Sequence, residues 1–124
     1  MIDHVSLEVS GLERAARFYD AVFFALGVRR MLQSEHAVAY GVTERTFWIK
    51  PAVSETAAMA ARGHVALRAA GKAAVDAAHD AGLAAGGADD GAPGPRPQYG
   101  RRYYAAYLRD PDGHRVELVT GSGE

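Results

Sequence analysis

The chain has 124 residues, 48% of them hydrophobic, and its 14 Lys plus Arg nearly balance 15 Asp plus Glu, for a formal net charge of −1. That length and apolar content fit one packed domain, and the charge balance excludes the basic surface of a nucleic-acid binder. Cysteine is absent, which excludes disulfides, thiolate zinc sites and cysteine nucleophiles.

Residues 2–9 alternate strictly, with Val5, Leu7 and Val9 on one side and His4, Ser6 and Glu8 on the other, which predicts a strand with one apolar face. The strand pattern begins at once, with no basic start and no long apolar stretch, so neither a signal peptide nor a membrane span is expected and the cytoplasm is the expected compartment. Ser10-Gly11-Leu12-Glu13 reads as a capping box. Leu12, Ala15, Ala16, Tyr19, Phe23 and Leu26 then recur at helical spacing, with Gly27 as the stop. Short strand patterns follow at 29–33, 37–42 and 46–50, and 51–62 reads as a linker. The second half repeats the order. A strand is predicted at 64–69 and a helix at 72–81, with Val75 and Ala78 inward and His79 on the surface, ending near Gly82. A strand is expected to begin at 83–86. Two more are predicted at 103–109 and 114–120, joined by the turn Asp110-Pro111-Asp112-Gly113. Residues 86–102 are rich in Gly and Pro and read as a long connection. It is either a solvated surface loop or a lid over a pocket that carries Gln98, Tyr99, Arg101 and Arg102. The expected fold class is α+β: two tandem βαβββ modules, about 1–50 and about 63–120, in one domain spanning 1–124.

The two modules open on the same short motif. The first reads Asp3-His4-Val5-Ser6-Leu7 and the second Gly63-His64-Val65-Ala66-Leu67. Neither copy is large enough to bury a core alone, so the copies are expected to pack together and bring equivalent residues across a shared surface. Strand alternation puts His4 and His64 on the faces opposite the apolar rows. On the last strand of the second copy it puts Glu117 there too, and Trp48 falls at the corresponding place in the first copy. Two imidazoles and one carboxylate form a ligand set for a divalent metal with open coordination positions, and Fe, Mn, Ni, Co or Zn would each suit it. A lone strand histidine is ordinarily just a polar residue. Here two histidines at repeat-equivalent positions share a face with a carboxylate, whereas His36, His79 and His114 lack that relation, and the last two are read as structural.

Tandem βαβββ units that open on Asp-His-Val and Gly-His-Val, and close on Asp110-Pro111-Asp112-Gly113-His114-Arg115-Val116-Glu117, resemble the vicinal oxygen chelate superfamily of glyoxalases, extradiol dioxygenases, fosfomycin-resistance enzymes and bleomycin-resistance proteins. The resemblance covers nearly the whole chain and is strongest to short glyoxalase-like members. It implies a curved, half-barrel-like mixed sheet with helices on its outer face, and a divalent metal held by His4, His64 and Glu117. In glyoxalase I a fourth ligand stands where this chain has Trp48, which cannot coordinate a metal, and that departure argues against glyoxalase I chemistry. Trp48 is either an aromatic pocket wall or a subunit contact. Tyr99, Arg101 and Arg102 either close over a ligand or stay at the rim. The implied function is that of a metal-dependent enzyme, a lyase, isomerase or dioxygenase, acting on a small molecule with neighbouring oxygens. The other possibility is a metal-free drug- or metabolite-binding protein of the bleomycin-resistance type. Partners expected are a small-molecule substrate and a second copy of the chain in a homodimer, with no nucleic acid and no membrane.

Overall fold

The structure is a computed structural model that describes residues 1–52 and 63–123. Most of the expected linker, 53–62, lies outside the described residues. The first module comprises β1 (Val5–Val9), α1 (Leu12–Leu26), β2 (Arg29–Gln33), β3 (Val38–Gly41) and β4 (Phe47–Pro51). The second comprises β5 (His64–Arg68), α2 (Lys72–Ala84), β6 (Ala88–Pro95), β7 (Tyr104–Arg109) and β8 (Arg115–Thr120). The sheets run β1-β4-β3-β2 and β5-β8-β7-β6. The first and last strands of each module pair in parallel and the other neighbours are antiparallel. The expected α+β architecture of two tandem βαβββ modules is therefore present.

The repeat holds at single-residue resolution. Val5 pairs with Phe47 and Ser6 with Trp48, just as Val65 pairs with Val116 and Ala66 with Glu117. Trp48 thus occupies, in the first sheet, the position of Glu117 in the second. Both helices bury their apolar stripes in one continuous core. Phe18, Tyr19, Val22 and Phe23 of α1 meet Val75 and Ala78 of α2 together with Ile49, Leu108, Val116 and Leu118 of the strands. Burying one such large side chain is worth about 1.5–3 kcal/mol. The helices approach closely at Gly82, where an added Cβ would lie 2.5 Å from Leu108 and 3.0 Å from Val22.

Polar bonds fasten the modules where the chain turns from β7 to β8. The Tyr19 hydroxyl donates to Asp110 Oδ2 at 2.6 Å, the Ser10 N–H to Asp112 Oδ1 at 2.9 Å, and His114 Nε2 to the Glu8 carbonyl at 2.7 Å. The turn closes through a 2.9 Å bond from Gly113 N–H to the Asp110 carbonyl, and Gly113 has a φ of 90°, a conformation that suits glycine. The structural reading of His114 agrees with its bond across the modules.

Four local expectations need correction. The strand expected to begin at 83–86 does not, because α2 runs on to Ala84 and β6 starts at Ala88. The capping box does not form: Gly11 is the N-cap of α1 with no side-chain cap, and the Ser10 hydroxyl instead accepts from Arg14 at 2.7 Å. Half of the expected long connection is strand β6, which tolerates Pro93 and Pro95 because it is an edge strand and breaks register twice against β7. Only 96–103 turns back, pinned by a 2.8 Å bond from Arg96 N–H to the Tyr103 carbonyl. Finally, His79 is buried rather than superficial, and its Nε2 donates to Asp89 of β6 at 2.9 Å. No helix among the described residues is long and apolar enough to cross a membrane.

Candidate functional site

The face of the second sheet turned away from the helices carries a cavity of about 460 Å³. Pairing across β5, β8 and β7 sets its floor: residues directly opposite in a ladder share a face, so Glu117 stands beside Tyr107, and Arg115 beside Arg109. His64 opens the edge strand β5, and its Nε2 donates to Glu117 Oε1 at 2.9 Å. The Tyr103 hydroxyl donates to Glu117 Oε2 in a short bond. Glu117 is 2% exposed, whereas His64 keeps 38% of its side-chain surface open. A carboxylate sealed this far from water requires such partners.

The surroundings hold the tyrosines in their neutral, donating form. Burial and then the bond to Glu117 push the Tyr103 phenol well above its usual pKa, and burial followed by the Glu117 charge raises Tyr107. Tyr107 also carries two guanidiniums: Arg115 lies 4.2 Å and Arg96 5.9 Å from its ring centroid. Asp90 of β6 binds Arg115 at 2.8 Å and Arg109 at 3.0 Å.

The sequence-derived site is brought together only in part. His64 and Glu117 converge. His4, which precedes the edge strand β1, has its Nδ1 2.7 Å from Asp3 Oδ1 with half of its side chain exposed. Among the described residues no group of three His, Cys, Asp or Glu side chains could hold a metal. His64 and Glu117 have donor chemistry that suits a transition metal, and they are the two members of the expected triad that meet within one chain. Tyr99 lines the cavity at its mouth, 63% exposed. Trp48 is not among the lining residues. Its indole N–H donates to the Arg45 carbonyl at 3.2 Å, and Lys50 Nζ lies 5.7 Å from its ring. Arg102 is exposed and also lies outside the lining. Tyr103, Tyr107, Arg96, Arg115 and Asp90 were not singled out as ligand contacts from the sequence. The alternation of β7 and β8 carried a signal for Tyr107 and Arg115. Nothing local marks Asp90 and Arg96, because the strand that carries Asp90 and ends just before Arg96 lies within the Gly/Pro-rich stretch that reads as a long connection.

Two parallel-closed βαβββ sheets with a polar cavity against an imidazole–carboxylate pair define a glyoxalase-type small-molecule fold. The profile of the Glyoxalase/Bleomycin resistance protein/Dioxygenase superfamily matches residues 1–118, and the chain belongs to that superfamily. A glyoxalase/bleomycin resistance protein from Albidiferax ferrireducens is 32% identical, with a TM-score of 0.82 over 94% of this chain and 95% of that one. The fold is also that of a lactoylglutathione lyase from Agrobacterium tumefaciens (22% identity, TM-score 0.68, 98% of this chain and 94% of that one). It is shared too by the fosfomycin resistance protein FosX from Mesorhizobium loti (21% identity, TM-score 0.71, 98% and 92%). No curated protein sequence matches the chain.

Proposed function

We propose that the protein is a metal-dependent enzyme of the vicinal oxygen chelate type, whose site is completed by two copies of the chain in a homodimer. In this reading His64 and Glu117 of one copy and His4 of the other hold a divalent ion of Fe, Mn, Ni, Co or Zn. The observation that carries it is the split of the triad: two members converge in the cavity, and the third stands half-exposed beside an edge of β1 that no other described strand pairs. Asp3 supports a ligand role for His4, because in a neutral imidazole a carboxylate that accepts from Nδ1–H selects the tautomer whose Nε2 lone pair faces a metal. Such an ion, when bound, supplies a Lewis acid that stabilises negative charge on neighbouring substrate oxygens. The chain's own groups orient the ligands. Tyr103 fixes the Glu117 carboxylate by donating to Oε2, Tyr107 walls the cavity, and Tyr99 stands at its mouth.

Mixing variants tests the shared site. His4→Ala and His64→Ala proteins each lose metal, as measured by elemental analysis after gel filtration. Unfolded together and refolded, they form mixed dimers with one intact site each, and part of the metal returns. No return of metal on mixing, with each variant folded, overturns the shared site.

A metal-free binder of drugs or metabolites is the second reading. It is favoured by the fact that both Glu117 oxygens already accept hydrogen bonds, from His64 and Tyr103. Wild-type protein that takes up none of the five metals yet still binds aromatic ligands would establish it.

A further inference from the structure

The two guanidiniums on Tyr107 are not equivalent. Arg115 has a carboxylate partner, Asp90 at 2.8 Å, which it shares with Arg109. Arg96 spends its bonds on main-chain carbonyls: Ala92 at 2.9 Å, Gly94 at 3.0 Å and Pro95 at 3.4 Å. Among the described residues no carboxylate pairs with it. The carbonyls pin its plane at the cavity wall without cancelling its charge, and a guanidinium has five N–H donors, so donors remain. A fixed, uncompensated guanidinium presents a fork that matches a carboxylate. Three tyrosines stand around it, among polar lining residues that include His64, Gln98 and Glu117. Tyr99 and Tyr103 have ring centroids 5.4 Å apart, and Tyr107 closes the inner side. A volume of about 460 Å³ accommodates a small organic molecule. Aromatic faces suit a flat ring.

We propose that this cavity takes an aromatic carboxylate, with its anionic group on Arg96 and its ring against Tyr99, Tyr103 and Tyr107. The inference rests on the reading of this cavity as the small-molecule site and names its substrate class.

Three probes separate charge from shape: 2-naphthoate, its neutral isostere 2-naphthamide, and the saturated decalin-2-carboxylate. Each is titrated calorimetrically into the full-length protein, once after EDTA treatment and once after loading with Mn²⁺. The acid should bind about tenfold or more tighter than the amide, the span expected of a charge-assisted hydrogen bond. It should also bind several-fold tighter than the saturated acid. Arg96→Gln should abolish the preference for acid over amide, and Arg96→Lys should retain part of it. Tyr99→Ala, at an exposed position, should weaken the preference for the flat ring, and it carries the test if Arg96→Gln does not fold. Equal binding of acid and amide overturns the proposal, as does an unaltered preference in folded Arg96→Gln, or displacement of naphthoate by inorganic phosphate at similar concentration. Acid selectivity in protein that retains no metal defeats the metal-dependent reading and leaves this one standing. Retained metal without acid selectivity does the reverse.

Discussion

Asp110 is 3% exposed, and both of its oxygens are in use. Oδ1 accepts the N–H groups of Asp112 and His114, each at 2.9 Å, and Oδ2 accepts the Tyr19 hydroxyl at 2.6 Å. Tyr19→Phe leaves this buried carboxylate one donor short. The expected loss is about 1–3 kcal/mol, read from urea denaturation. Burial, and then the Asp110 charge, raise the Tyr19 phenol far above its usual pKa, and burial does the same for Tyr40. The folded chain thus holds protons that the unfolded chain releases near pH 10. Their contribution to stability is complete below about pH 10 and is lost as pH rises above it, since the unfolded state then binds fewer protons. Unfolding free energies measured from pH 8 to 11 should fall at the alkaline end, and less steeply in Tyr19→Phe. An equal slope in both proteins would remove Tyr19 from that account.

Among the elements, the strands with clean alternation were readable, because period-two patterning is local and needs no knowledge of neighbours. The turn at Asp110–Gly113 was readable for the same reason. β6 was not: two prolines and two glycines within Ala88–Pro95 erase the pattern, and only its edge position and broken register make such a strand tolerable. That omission propagated. His79 looked superficial because the partner that covers it, Asp89, lies on the strand that was missed. His64 and Glu117 were legible because both sit on regular strands. Arg96 was hidden by the same Gly/Pro stretch, and Tyr103 depended on a hairpin register that sequence alone does not fix. The helix pair offers its own test. Gly→Ala inside a helix ordinarily stabilises by about 1 kcal/mol. At Gly82 the new methyl would meet Leu108, Val22 and Phe18 at 2.5, 3.0 and 3.2 Å. Gly82→Ala should therefore lower the thermal midpoint, by an overpacking cost of about 1–3 kcal/mol. A raised midpoint would mean that the helices separate freely.

At the scale of the whole molecule, β1 and β5 each have one edge that no other described strand pairs, and each adjoins a histidine of the proposed triad. Exposed edges invite pairing with a second chain. Sedimentation velocity at micromolar concentration should give the mass of two chains. A monomer that still binds metal would place the third ligand elsewhere. A different consequence follows from the β7–β8 turn. Asp110, Asp112 and His114 belong to the stretch that marks the family, yet each of them clasps the first module: Tyr19, Ser10 and the Glu8 carbonyl are their respective partners. That signature is a buckle rather than a tool. In this chain it joins the two halves, and Glu117, a few residues further on, is the residue of that stretch that lines the cavity beside His64.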